Sequence, residues 1–207
     1  MGGRGAFSGK RGGFSADEAG SHETMPKKLE SLNSIKDRKV YKAVKESISR
    51  YESVLGVRQR DIKLGELPTG VGGVHVTQGG KSKIVVLNKE IFNGEKTNLK
   101  KLSNWSEKAY KSGHLTSTNK PTAHIVTHEL AHATWNEHQI GSMQKKAGFE
   151  INKVYNNWIK DTKKKGYGDY AKTNESEFFA EVVTKAIHGK KDKYTAKVKG
   201  IIKKYNL

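Results

Sequence analysis

Thr127-His128-Glu129-Leu130-Ala131-His132-Ala133-Thr134-Trp135 is the stretch on which the reading of this chain turns. Four residues make a little over one helical turn, so His128 and His132 project from the same face of a helix. Two imidazoles placed in this way can reach one Zn²⁺, with Glu129 beside them to hold a water molecule and take its proton. Ile125, Val126, Leu130 and Ala133 recur at helical spacing around them. The pattern predicts a helix over 121–138 that opens on Pro121, buries those four residues and turns His128, Glu129 and His132 toward a cleft.

A catalytic zinc takes three protein ligands and one water. The chain has no cysteine, so histidine and carboxylate must supply all three. His138 follows His132 at the spacing of His-Glu-x-x-His-x-x-Gly-x-x-His, but Trp135 stands where that arrangement turns sharply on a glycine. A bulky aromatic is strongly disfavoured at positive φ. The rival lies in Asn174-Glu175-Ser176-Glu177-Phe178-Phe179-Ala180-Glu181, where Glu177 and Glu181 are one helical turn apart. There Glu177 would bind the metal, while Glu181 would accept the N–H of a ligand histidine and fix its tautomer. Glu175 projects elsewhere and reads as surface.

His128-Glu129-x-x-His132, followed by Tyr170 and by the Glu177-Phe178-Phe179-Ala180-Glu181 run, resembles the catalytic domain of anthrax toxin lethal factor. It is also similar to the small Pro-Pro endopeptidases of the same zincin group. The resemblance is sharp over 124–138 and 170–188. It implies a zincin-like fold in which His128, His132 and Glu177 bind zinc. Glu129 would then be the general base, and Tyr170 would assist the oxyanion or the leaving group. The activity implied is zinc-dependent hydrolysis of peptide bonds in a peptide or protein substrate. The Gly-rich start also resembles small proteins of bacteriophages and mobile elements.

Outward from these motifs the pattern is α+β, with a small mixed or antiparallel sheet, an N-terminal helix and a mostly helical C-terminal half. Residues 1–27 read as a disordered leader, with seven glycines in the first twenty and no apolar pattern able to bury a core. The metallopeptidase domain is expected over 28–207. Val40, Tyr41, Val44, Ile48, Tyr51 and Leu55 predict a helix over 34–55. A strand is expected at 62–64. Strands at 74–78 and 83–87 flank Gly79-Gly80-Lys81-Ser82 as a hairpin. The 73–77 strand could offer an edge to an extended peptide. A weak helix is expected over 98–112, and another over 142–164 with Ala147, Ile151, Val154, Tyr155, Trp158 and Ile159 as its buried stripe. Thr173 or Asn174 caps a helix through Ile187, and a basic helix runs over 194–205. His75 and His114 could be cleft residues, with surface positions the better reading. His124, one turn before His128, is placed outside the metal set, because a fourth protein ligand would close the site.

The charge is strongly one-sided. Lys+Arg 39 against Asp+Glu 21 gives a formal net charge of +18, and 33 of the 39 are lysine. From Met143 onward there are 16 Lys, no Arg and 7 acids. Such a surface attracts polyanions, but lysine is a solvated point charge and not a fork that reads bases. An alternative reading follows: a basic phage or mobile-element binding protein on an inactive zincin scaffold, holding nucleic acid or an acidic partner. With mean hydropathy −0.76 and no apolar run long enough to span a bilayer, no membrane span is expected. The start lacks the apolar core of a signal peptide, which makes a cytoplasmic or virion-associated location the expectation.

Overall fold

The computed structural model describes residues 25–56, 61–68, 71–79, 81–93, 120–138, 140, 145–161, 166–188 and 191–207, with 100, 103–104, 107–108, 110–113 and 116 between them. The elements are β1 (Glu30–Ser31), α1 (Arg38–Leu55), β2 (Ile62–Gly65), β3 (Gly73–Gln78), β4 (Lys81–Asn88), α2 (Lys89–Phe92), α3 (Pro121–Glu137), α4 (Lys146–Lys160), α5 (Glu175–His188) and α6 (Lys193–Tyr205). A 3₁₀ turn over Asp169–Lys172 precedes α5. The architecture is α+β, with a mixed sheet in the order β1-β2-β4-β3. Only β2 and β4 run parallel. Residues 1–24 of the expected leader lie outside the described residues, as do His114 and most of the helix expected over 98–112.

Alternation along the hairpin decides which side of the sheet meets the helices. Val85 and Leu87 of β4 join the large core with α1, α3, α4, α5 and α6. Ile84 and Val86 instead close a small second cluster with Val71, Val74 and Val76. Since Gly73 pairs with Leu87 and His75 with Val85, both face the α3 side. Gln78 pairs with Lys81, so the connection is a two-residue turn opened by Gly79 at φ 57, shorter than the four residues expected. A bulge between Val76 and Thr77 absorbs the register change.

The helix boundaries follow their caps. The first helix begins at Arg38 and not at Ser34, because the Asp37 carboxylate accepts the N–H groups of Lys39 and Val40 at 2.7 and 3.1 Å. Ser34 belongs to a preceding 3₁₀ turn. Gly56, at φ 76, ends α1 in a left-handed conformation that a Cβ would strain. The predicted stripe of α4 holds for Ala147, Ile151, Val154 and Trp158 but fails at Ile159, which is exposed. Trp158 fills the core side of the last turn, so Ile159, the next residue around the helix, falls at the solvent edge of the stripe.

Helix α3 lies at the centre, packed against α5, α1, β4 and β3. Fully buried Ala131 and Ala180 allow close approach of α3 and α5, and Trp135 meets Phe179 at a ring separation of 5.4 Å. From α1, the buried Tyr51 hydroxyl donates to the Leu130 carbonyl at 3.0 Å and lies 2.6 Å from Thr134 Oγ1. A hydroxyl has one hydrogen, so Thr134 is the donor in the second contact. This ties the middle of the motif helix to α1. No helix among the described residues is long and apolar enough to cross a membrane.

Candidate metal centre

Pro121 starts α3 at a position where a missing N–H is tolerated, and the helix then carries His124, His128 and His132 on successive turns of one face. Opposite them stands α5, whose first turn is fixed when Asn174 Oδ1 accepts the Glu177 N–H at 2.9 Å. That cap, and not Thr173, aims Glu177 and Glu181 at the histidines. His128 Nε2 lies 3.1 Å from His132 Nε2 and 3.1 Å from Glu177 Oε2, and His132 Nε2 lies 3.2 Å from the same oxygen. All three residues are buried.

These three atoms form a nearly equilateral triangle. A tetrahedral shell with bonds of 2.0–2.1 Å has ligand edges of about 3.3 Å, so the triangle has the size that a bound divalent ion requires. His128, His132 and Glu177 could hold a metal ion on this geometry, and a second group of His124, His128 and Glu181 also meets the distance requirement. The second group shares His128 through its other nitrogen: Nδ1 lies 3.0 Å from Glu181 Oε1. That is an ion-pair distance, although the approach is too bent to count as an aligned hydrogen bond.

Glu181 is completely buried and heavily committed. Its Oε2 accepts the backbone N–H of Thr116 at 2.9 Å, and its Oε1 accepts the N–H of His124 Nε2 at 3.1 Å. On the second histidine, His132 Nδ1 meets Ser176 Oγ at 2.9 Å. Both ring orientations are thus set by contacts on the nitrogens that face away from the triangle. Burial opposes the charge on His128, Glu177 and Glu181, but the opposite charges win. Glu177 is pulled down to about 2 against its burial by the charges of His132 and His128. Glu181 falls well below the carboxylate range beside His124 and His128, and His128 rises well above the imidazole range between the two carboxylates. A buried ionic cluster of this kind is a weak device for stability, which makes it a candidate for function.

Glu129 is buried at the β3 side of α3, where Gly73 gives it room: a Cβ on Gly73 would come 2.9 Å from Glu129 Cγ. Tyr170, on the 3₁₀ turn before α5, places its ring 5.8 Å from that of His128. His138 stays apart at the C-terminal end of α3, where its Nε2 lies 3.8 Å from Glu137, and among the described residues it belongs to neither metal-capable group. Glu175 also points away and accepts from Asn152 at 2.7 Å.

Two sequence expectations need correction. His75 is not a surface residue but 1% exposed. Asn136 Nδ2 donates to its Nδ1 at 3.0 Å, and its Nε2 meets Ser82 Oγ at 2.8 Å, so the whole ring is satisfied between α3 and β4. The histidines also do not line an open cleft, since His128, Glu129 and His132 are all below 6% exposed. Sequence reasoning left His124 outside the site and missed Ser176 and Thr116 as supports of the centre. The four-residue step from His124 to His128 carried a signal. Thr116 carried none, because it acts through its backbone. No family model, no curated protein and no solved structure matches this chain.

Proposed function

We propose that this chain is a zinc-dependent metallopeptidase of zincin type that hydrolyses peptide bonds. The observation that carries the reading is the triangle of His128 Nε2, His132 Nε2 and Glu177 Oε2, with edges of 3.1–3.2 Å and with Glu129 on the same helix. Two histidines and one glutamate are the donor set of catalytic and not of closed structural zinc sites. A bound zinc ion would supply Lewis acidity, lowering the pKa of a water molecule and polarising the scissile carbonyl.

The remaining chemistry belongs to the chain. Glu129 takes the proton of the attacking water and returns it to the leaving amine. Tyr170 donates its hydroxyl proton toward the developing oxyanion. Glu181 and Ser176 keep N–H on Nδ1 of the two histidines, leaving the Nε2 lone pairs for the metal. Strand β3 ends the sheet among the described residues, and its first residue touches Glu129. An extended peptide added to that edge would run beside the base. The resemblance of both motifs to the lethal factor and Pro-Pro endopeptidase group supports the same assignment.

The experiment is a peptide-library cleavage assay of the purified chain with metal analysis, wild type beside Glu129→Ala. The reading predicts metal-dependent cleavage that the substitution abolishes, with metal content and fold retained. Cleavage by Glu129→Ala at the wild-type rate would remove Glu129 as the base.

A further inference from the structure

The two lysine-rich helices of the C-terminal third form one surface whose acids are all spoken for. Lys204 Nζ and the Tyr205 hydroxyl reach Glu150 at 2.6 and 2.7 Å. At the other end Lys193 Nζ reaches Asp161 at 2.6 Å. These contacts join the end of α6 to the start of α4 and the start of α6 to the end of α4, so the helices lie antiparallel and side by side. Within 145–161 and 191–207 the only acids are Glu150, Asp161 and Asp192. The third, Asp192, is taken by the buried Lys185 at 2.7 Å.

That leaves Lys145, Lys146, Lys153, Lys160, Lys191, Lys197, Lys199 and Lys203 exposed, with no carboxylate at ion-pair distance among the described residues. They are not scattered. Lys146, Lys153 and Lys160 recur at helical spacing on the face of α4 opposite Ala147, Ile151, Val154 and Trp158. Phe149 sits in the same row, 61% exposed, with Lys153 Nζ 4.4 Å from its ring centre. A row of unneutralised cations around one bare aromatic ring is the make-up of a surface that follows a phosphate backbone and stacks a base.

We infer that the outer face of α4 and α6 binds the sugar-phosphate backbone of nucleic acid without reading its sequence. No arginine occurs from residue 143 onward, so the face lacks the rigid planar fork best suited to reading bases and recognises by charge. A lipid surface fits less well. Interfacial helices carry a continuous apolar face, and here only Phe149 and Ile159 are exposed large hydrophobics on these helices. The inference stands apart from the peptidase proposal, because none of these residues touches the metal centre.

The test measures binding of the full chain to a labelled mixed-sequence DNA oligonucleotide, single-stranded and duplex, over a series of salt concentrations. The K146Q/K153Q/K160Q/K203Q variant is compared with a control that loses four lysines from the other side of the sequence, K36Q/K39Q/K42Q/K45Q. Wild type is expected to bind with a steep negative slope of log affinity on log salt, independent of DNA sequence. The first variant should bind about tenfold or more weakly and with a slope shallower by about one unit per lysine that contacted phosphate. The control should stay within about threefold of wild type, less than the tenfold that one 1.4 kcal/mol step represents. Equal losses in both variants would mean that only net charge matters and would overturn the assignment. So would failure of wild type to bind at low salt, or binding to anionic phosphatidylserine vesicles in place of DNA.

Discussion

Nδ1 of His128 lies 3.0 Å from Oε1 of Glu181, while the other nitrogen of the same ring lies 3.1 Å from Glu177. One imidazole is therefore held between two carboxylates from consecutive turns of α5. His124 holds the far side of the same Glu181 oxygen at 3.1 Å. The geometry assigns Glu181 to orienting His128 and His124 to orienting Glu181. Removing such outer partners commonly lowers metal affinity by about 10–100-fold. Glu181→Ala should fall in that range by chelator competition. His124→Leu should fall by less, and His124→Gln, which restores a side-chain N–H, should recover most of the loss. Unchanged affinity in a folded Glu181→Ala protein would contradict the assignment.

Tyr170→Phe isolates the proposed oxyanion donor. It removes one hydroxyl from a buried ring beside His128 and leaves the ring contact in place. The expected loss is about 10²–10³ in kcat, the effect of deleting one preorganised donor. Metal affinity should not change. A loss confined to KM would make Tyr170 a substrate contact instead.

Gly73 is expected to tolerate no side chain. An added Cβ would stand 2.9 Å from Glu129 Cγ and 3.3 Å from Ile125 Cγ2. Gly73→Ala should displace the base, lowering kcat with full metal content, and should destabilise by about 1–3 kcal/mol through overpacking. Gly200→Ala is the matched control. A Cβ there meets nothing within 4 Å and replaces a mid-helix glycine, so it should gain about 0.5–1 kcal/mol.

How far the sequence carried the site depends on how local each contact is. The spacing of His128, Glu129 and His132 lies within one helix, and helical geometry alone puts them together. Glu177 is 45 positions from His132, and its place became legible only through the Glu-Phe-Phe-Ala-Glu run that accompanies it. His75 looked like surface because its burial comes from Asn136 and Ser82, partners on other elements. Ile159 looked like core because periodicity does not say how wide the buried stripe is, and with Trp158 filling it Ile159 falls at its exposed edge. The hairpin was legible from its glycines, but its register was not, since a bulge takes up one residue.

His188 supplies a pH dependence. Burial first, and then the nearby charges of Arg50, His124 and Lys120, pull it down to about 4, from an ordinary value of 6.5. Between these values the unfolded chain binds a proton that the folded chain rejects. The stability at stake is therefore complete above about pH 6.5 and is lost as pH falls toward 4. His188→Gln can keep the contact with Thr127 Oγ1, now 2.7 Å, without titrating. In the same metal state, wild type should lose more thermal stability than His188→Gln between pH 7 and pH 5. Parallel curves would show that His188 does not carry the effect.

The central claim is that one ion joins two histidines of α3 to a glutamate of α5. A crystal structure of the zinc-loaded protein, with anomalous data on both sides of the zinc absorption edge, tests it most directly. The account predicts a single strong peak within bonding distance of His128 Nε2, His132 Nε2 and Glu177 Oε2. A peak elsewhere, or none in protein that contains stoichiometric zinc, would contradict it.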